Sequence, residues 1–337
     1  MVLGSWGQHW GQHEAAPIHF VLGWCVRRPG HSISRLAQRS NIRLIGVLVV
    51  GNADADAVLF QTELRDELRK FGYVEGQNLA FDVRSAEQKL DQLPKLAAEL
   101  VARKVDVIVA LYTPCAIAAK QATNEMPIVV VSGDPVGTGL VPSLARPSGN
   151  ITGVSLIAAE MHGKCVELLR DMIPSIRRLA AFGNAADPFS KPLLEQVQLA
   201  GRITGIEIAP TMLVRGPQEI EAAFANAKKE EAGAVVLQGS LASKNAADLA
   251  IKYRIPTATS TRSFIELGGV LFYGPDNSAS FRQSARFVAK ILQGGVPADM
   301  PIEQPTKFEL VINLKSAKAI GLNVAETFLQ RADTIIE

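Results

Sequence analysis

Histidine and tryptophan are nearly missing from most of this 337-residue chain. Four of its five histidines (His9, His13, His19, His31) fall within the first 31 residues, and all three tryptophans (Trp6, Trp10, Trp24) within the first 24. Beyond that segment only His162 remains, too few ligands for a zinc site or a multi-histidine catalytic centre. The three cysteines, Cys25, Cys115 and Cys165, give neither a disulfide framework nor metal-ligand spacing. No run of 18 or more apolar residues is present, so no transmembrane helix is expected. Nor is there an excess of one charge: 35 basic and 33 acidic groups leave +2, whereas nucleic-acid binding needs a concentrated basic face. With 18 prolines and 27 glycines the chain has neither a disordered nor a collagen-like composition.

What is present is uneven. Residues 1–40 carry four arginines against one glutamate, and the remaining 297 residues carry 31 basic and 32 acidic groups. The chain therefore reads as a short leader and a nearly neutral body, long enough for two domains. In the body, Ile42–Val50 (IRLIGVLVV) is an almost continuous β-branched run, the mark of a strand covered on both faces. Leu64, Leu68 and Phe71 form the apolar stripe of a following helix that Gly72 stops. Strands at Leu79–Arg84, Val105–Tyr112 and Pro127–Ser132 alternate with helices at Leu93–Lys104 and Pro114–Thr123. The alternation then recurs, with strands at Arg178–Gly183, Glu207–Val214, Ala234–Gly239 and Pro256–Thr261, each offset by about 130 residues from its counterpart. Right-handed βαβ units of this kind build parallel sheets, and two copies predict an α/β chain of two similar doubly wound lobes joined by a multi-crossover hinge. The expected division is 1–40 as a poorly ordered leader or misassigned start, 41–150 plus about 276–300 as lobe one, and 151–275 plus about 301–337 as lobe two.

Ligands of open parallel sheets sit beyond the carboxyl ends of the strands. Those loops hold Asn52 and Asp54, Tyr112 and Thr113, and Asp134 in the first repeat. In the second they hold Asn184, Phe189 and Ser190, Gly239 and Ser240, and Tyr273. Small polar groups with a few aromatics suit a small polar ligand with an apolar body. Each has a plainer reading: Ser, Thr and Asn as helix caps, Asp134-Pro135 as a turn former, the tyrosines as rim cover, Phe189 as helix-entry packing. No catalytic residue and no cofactor is expected. Cys115 lacks a base and reads as a packed small residue, and His162 reads as a surface or cap residue. Gly133–Gly139 (GDPVGTG) lacks the Lys-Ser/Thr of a P-loop, and Gly51-Asn52-Ala53-Asp54 stands where a dinucleotide fingerprint would.

Several stretches resemble the substrate-binding proteins of bacterial ABC importers related to tryptophan/tyrosine uptake: LRKFGYVEGQN (68–78), LPKLAAELVARKVDVIV (93–109), GDPVGTGLVPSLARPSGNITG (133–153) and, most specifically, QPTKFELVINLKSAKAIGL (304–322). The resemblance covers about residues 42–337. It implies a type I periplasmic-binding fold with about three crossovers, capture of a small organic ligand between lobes, and delivery to a membrane permease driven by a separate ATPase. It further implies a periplasmic, monomeric protein with no nucleic-acid partner. In one loop the chain departs from the pattern: Gln238-Gly239-Ser240-Leu241 stands where many members have an Asp-Pro and aromatic run. The competing classes are a ligand-sensing regulator, for which residues 1–40 offer no helix-turn-helix, an α/β enzyme, for which a base–nucleophile pair is missing, and a receptor-associated sensor. The leader is no ordinary signal peptide: no Lys or Arg precedes the apolar stretch Pro17–Val26, and Trp24 before Cys25 is too large for a lipoprotein box.

Overall fold

The computed structural model describes residues 42–51 and 55–337; the leader, Asn52 and Asp54 lie outside the described residues. Strands β1 (Arg43–Val49), β2 (Leu79–Ser85), β3 (Val107–Leu111), β4 (Ile128–Ser132) and β5 (Ile151–Ser155) form one parallel sheet in the order β2-β1-β3-β4-β5. Strands β6 (Arg178–Asn184), β7 (Glu207–Val214), β8 (Ala234–Leu237), β9 (Thr257–Thr259), β10 (Leu271–Pro275), β11 (Phe308–Asn313) and β12 (Thr334–Ile336) form a second, in the order β12-β11-β10-β9-β8-β6-β7. Within it only the β10–β11 pairing is antiparallel. The orders β2-β1-β3-β4 and β7-β6-β8-β9 are the same path traced twice, which is the repeat read from the sequence.

The helices are α1 (Ala55–Lys70), α2 (Leu93–Ala102), α3 (Thr113–Ala122), α4 (Ala158–Met172), α5 (Ser190–Thr204), α6 (Pro217–Lys229), α7 (Lys244–Tyr253), α8 (Ser263–Leu267), α9 (Asn277–Leu292), α10 (Leu314–Ala319) and α11 (Glu326–Leu329). They cover both faces of the sheets, so β3 (VIVAL) and β4 (IVVVS) are buried at every residue. In α1 the stripe is Phe60, Leu64 and Leu68, all fully buried, while Phe71 lies past the last turn and is exposed. Gly72, at φ 83°, ends the helix as expected. Helix α9 packs back onto α1 and onto β3, β4 and β5, with the Phe281 and Phe60 rings edge-to-face at 5.2 Å. Helix α4 packs on α5, β8, β9 and β10 of the second sheet.

Two features differ from the sequence reading. Residues 151–155, read as part of a loop junction and of the second lobe, are strand β5 and complete the first sheet. The run is short and holds Gly153, whose φ of 140° and closeness to β4 exclude a side chain: an added β-carbon would stand 2.1 Å from the Val130 carbonyl. Helix α8 and strand β12, five and three residues long, are too short to leave a periodic signal.

The chain passes between the sheets three times: from β5 to α4, from β10 to α9, and from Glu303, bridged to Val154, to β11. In the first passage Ile157 holds the left-handed conformation, φ 45°, which a β-branched residue adopts only under constraint. Because Phe281 comes from a segment that has already visited the second sheet, it ties the last quarter of the chain to the first lobe. Phe281→Ala should cost about 3–5 kcal/mol of unfolding free energy, read by urea denaturation.

Candidate functional site

The loops at the carboxyl ends of the parallel strands β4 and β6, one from each sheet, come together, with Phe189 against Gly133. On the first-lobe side, Thr113 opens α3 and its Oγ1 lies 3.0 Å from Ser132 Oγ at the end of β4, two buried hydroxyls sharing a hydrogen bond. The preceding residue, Tyr112, holds φ 71°, a strained conformation for a side chain of that size, and its hydroxyl donates to Asp56 Oδ2 at 2.7 Å. Cys115, one turn into α3, is fully buried; burial first, and the negative charge of Asp187 second, hold its thiol above the ordinary range, so it stays protonated.

On the second-lobe side the loop after β6 and the loop after β8 are locked together. Gln238 is the centre of the lock. Its Oε1 accepts from the Asn184 backbone N–H at 2.8 Å and from Ser190 Oγ at 2.6 Å, which leaves its Nε2 to donate to Asp187 Oδ2 at 2.8 Å. Asp187 Oδ1 accepts the Phe189 N–H at 2.9 Å. Asn184 Nδ2 donates to Ser240 Oγ at 3.3 Å. A β-carbon at Gly239 would stand 2.1 Å from Thr261 Oγ1, so a side chain there requires the Thr261 side chain to move.

The aromatic of this loop reaches the other lobe. Phe189 is 7% exposed and its ring lies against Gly133, where a β-carbon would stand 2.9 Å from the ring edge. Behind it sits His162, with ring centroids 6.1 Å apart. The expectation of a surface or cap role for His162 is corrected: α4 crosses the ends of β8 to β10, so His162 is buried beneath the site. Its Nδ1 donates to the Ala158 carbonyl at 2.6 Å, and Ser260 Oγ lies 3.4 Å from the same nitrogen. Burial lowers its pKa to about 4, so the ring is neutral at pH 7.

Asn184, Ser190 and Ser240 thus share one network, with Phe189 and Gly239 beside it, and Tyr112 and Thr113 stand across the cleft. Tyr273 and Asp134 stand apart from these networks. Tyr273 is in mid-strand and stacks on Phe308 at 6.2 Å, and Asp134 turns Oδ1 onto the Gly137 N–H at 2.8 Å, stiffening its own loop. Asp187, Gln238 and Ser132 fall within the strand-end loops 184–190, 238–240 and 132–135 that the sequence marks as site loops, but it did not single them out as contacts, and it placed His162 elsewhere. The available signal was an Asp-Pro-aromatic run, Asp187-Pro188-Phe189, standing after β6 and brought against Gln238. An open cavity of about 380 Å³ runs along the second lobe beside this loop, with Asp187, Ser190, Leu194 and Leu213 among its walls.

Residues 45–336 match the family of ABC transporter substrate binding proteins. The chain belongs to that family. Among the described residues no helix is long and apolar enough to cross a membrane. A tyrosine-binding protein of Clostridioides difficile (strain R20291) is 24% identical over 254 residues, covering 74% of this chain and 73% of that protein. A conserved domain protein from Vibrio cholerae superposes with a TM-score of 0.82 at 26% identity, covering 87% of this chain and 99% of that one. The L-Trp complex of an ABC domain from Streptococcus pneumonia superposes with a TM-score of 0.80 at 24% identity, covering 88% and 100% of the two chains. The α/β fold with parallel sheets is the one these binding proteins share, and the family comprises extracytoplasmic binding proteins of small molecules rather than enzymes.

Asp187 is an expensive residue for such a fold. Burial pushes its pKa from an ordinary 3.8 up to about 6, against the opposing pull of the hydrogen bonds from Phe189, Gln238 and Ser240. The folded protein therefore holds a proton that the unfolded chain releases between about pH 3.8 and 6, and stability from this group falls as pH rises through that window. His162 acts in the opposite sense, because the unfolded chain takes up a proton between 6.5 and about 4 that the folded one refuses. Asp187→Asn removes one of these two terms. Its unfolding free energy relative to wild type should rise by about 2 kcal/mol between pH 4 and pH 7, measured by urea titration at both pH values. A difference that is flat with pH would mean that Asp187 titrates normally.

Proposed function

We propose that this protein captures a small amino-acid-like ligand between its lobes in the periplasm and delivers it to an ABC permease driven by a separate ATPase. The observation that carries the reading is the meeting of two strand-end rims across a cleft, with buried hydroxyls on one side and a hydrogen-bonded amide–carboxylate network on the other. A ligand touching both rims favours the closed arrangement because only that arrangement makes both sets of contacts. Thr113, Ser132 and the start of α3 offer donors for a carboxylate, and Tyr112 and Phe189 border an apolar portion. The aromatic amino acids named for two similar proteins, tyrosine and L-Trp, make these the first compounds to try. Asn52 and Asp54, which follow β1 in the sequence, are kept as candidate contacts, and Tyr273 and Asp134 flank the site. The protein acts as a monomer, and the lobe boundaries lie at the three passages.

A thermal-shift screen of the purified protein against the standard amino acids tests this. A compound present at 100 times its dissociation constant should stabilise the protein by about 2.7 kcal/mol. Ser240→Ala should then weaken a hit about tenfold in calorimetry, the loss of one hydrogen bond, with the melting temperature of the free protein nearly unchanged. If no amino acid shifts the melting temperature, the ligand class is wrong.

A further inference from the structure

The run Gly133–Gly137 (GDPVG) has the glycines of a phosphate loop without its lysine, and the structure gives those glycines a different partner. Neither Gly133 nor Gly137 has a positive φ, so the backbone of this turn does not itself require glycine. The space beside them does, because the second lobe fills it. A β-carbon on Gly133 would stand 2.9, 3.0 and 3.2 Å from three carbons of the Phe189 ring. One on Gly137 would stand 3.1 Å from Pro192 Cβ, besides meeting the Asp134 carboxylate of its own turn. Phe189 and Pro192 form the corner at which the loop after β6 enters α5. The turn after β4 thus receives that corner at two points, both kept free of side chains.

Both walls of this contact are held. On the first lobe, the Gly133 carbonyl accepts the Ala158 N–H and the Ser132 carbonyl accepts the Leu156 N–H, each at 2.8 Å, which ties the turn to the passage from β5 into α4. Beyond it, Asp134 Oδ1 accepts the Gly137 N–H at 2.8 Å, and Lys120 Nζ donates to the Leu140 carbonyl at 2.7 Å. On the second lobe, Asp187 Oδ1 holds the Phe189 N–H, and the ring rests on the buried His162. A β-carbon 2.9 Å from the ring falls short of ordinary carbon contact, about 3.5 Å, by roughly 0.6 Å. With the turn and the ring both fixed, the lobes themselves must part to admit it. The contact lies beside a passage, so a small separation there grows toward the far sheet edges, β2 and β7.

We propose that the Gly133–Gly137 turn is a socket into which the Phe189–Pro192 corner seats when the lobes close, so that part of the closure is held by the protein's own contact and is independent of the ligand. Gly133 is then a positioning residue for capture. This deepens the capture reading and rests on it for the motion. A ligand that binds the closed form gains from the fraction already closed, and loosening the socket weakens every ligand alike.

The test measures lobe separation in the full chain with no ligand added. Spin labels are placed on Lys89→Cys, just past β2, and Arg215→Cys, just past β7; both positions are exposed, at the sheet edges away from β5 and from β10 and β11. With Cys25→Ser, the remaining thiols are the buried Cys115 and Cys165. Distances are read by pulsed electron–electron double resonance. In the otherwise native chain the short separation should account for at least about half of the molecules. Gly133→Ala should lower the ratio of short to long separations by about tenfold, the scale of one overpacked methyl group. Phe189→Ala should lower it too, and adding Gly133→Ala to Phe189→Ala should change nothing more, because the methyl then meets no ring. If Gly133→Ala fails to fold, Phe189→Ala alone decides. A native chain showing only the long separation overturns the socket, as does either single variant with the native distribution, or a Gly133→Ala effect that persists in full without the ring. No ligand enters these distances. An amino-acid screen without a hit therefore overturns the capture reading and leaves the socket standing, and an unchanged distance overturns the socket and leaves capture standing.

Discussion

Parallel strands joined by right-handed crossovers all end on the same side of their sheet, and the rest of this structure follows from that geometric fact. Each helix must return the chain to the far edge before the next strand begins. Polar loops therefore gather at one rim, where the backbone has free donors, and the opposite rim is left to turns. The chain repeats the pattern once, β2-β1-β3-β4 and then β7-β6-β8-β9, which yields two such rims. Three passages between the sheets hold them in mutual register, so the rims can approach or part but have little freedom to slide.

The second lobe shows how one side chain organises a loop. An amide has a fixed division into acceptor and donor, and Gln238 uses both ends, its oxygen for two donors of the β6 loop and its nitrogen for Asp187. The orientation of the carboxylate is thereby set by groups about fifty residues away in sequence. Phe189 completes the arrangement by carrying the same loop against Gly133, and it rests in turn on His162. The two buried titratable groups of this region pull stability in opposite directions with pH, so the intact protein conceals both.

Most of the fold was legible because it is written in runs. The β-branched stretches of β1, β3 and β4 are buried on both faces and cannot be mistaken for surface segments. The repeat near 130 residues then supplied the lobes without any pairing information. Where the runs fail, so did the reading: β5 is five residues interrupted by a glycine, and β12 and α8 are shorter than any period they might show. The rim loops were legible as places but not as chemistry. Asp187 and Asp134 look alike in sequence, each an aspartate before a proline. The fold gives one a buried network and the other a turn of its own loop, and only the three-dimensional arrival of Gln238 separates them. His162 was misjudged for a related reason, since α4 is remote in sequence from strand ends it crosses in space.

Helix α9 has a consequence for the order in which the molecule can be made. It covers β3, β4 and β5 and seats Phe281 on Phe60, yet it follows ten of the strands along the chain. During synthesis the five strands of the first sheet exist long before the helix that closes one of its faces. The second sheet waits in turn for β11 and β12, which come after that helix. Neither lobe is therefore a finished unit until residue 292 has emerged, and until then the growing chain carries an open apolar face on its first sheet. The same interleaving that joins the lobes by three passages defers completion of both to the last part of the chain, the first at α9 and the second at β12.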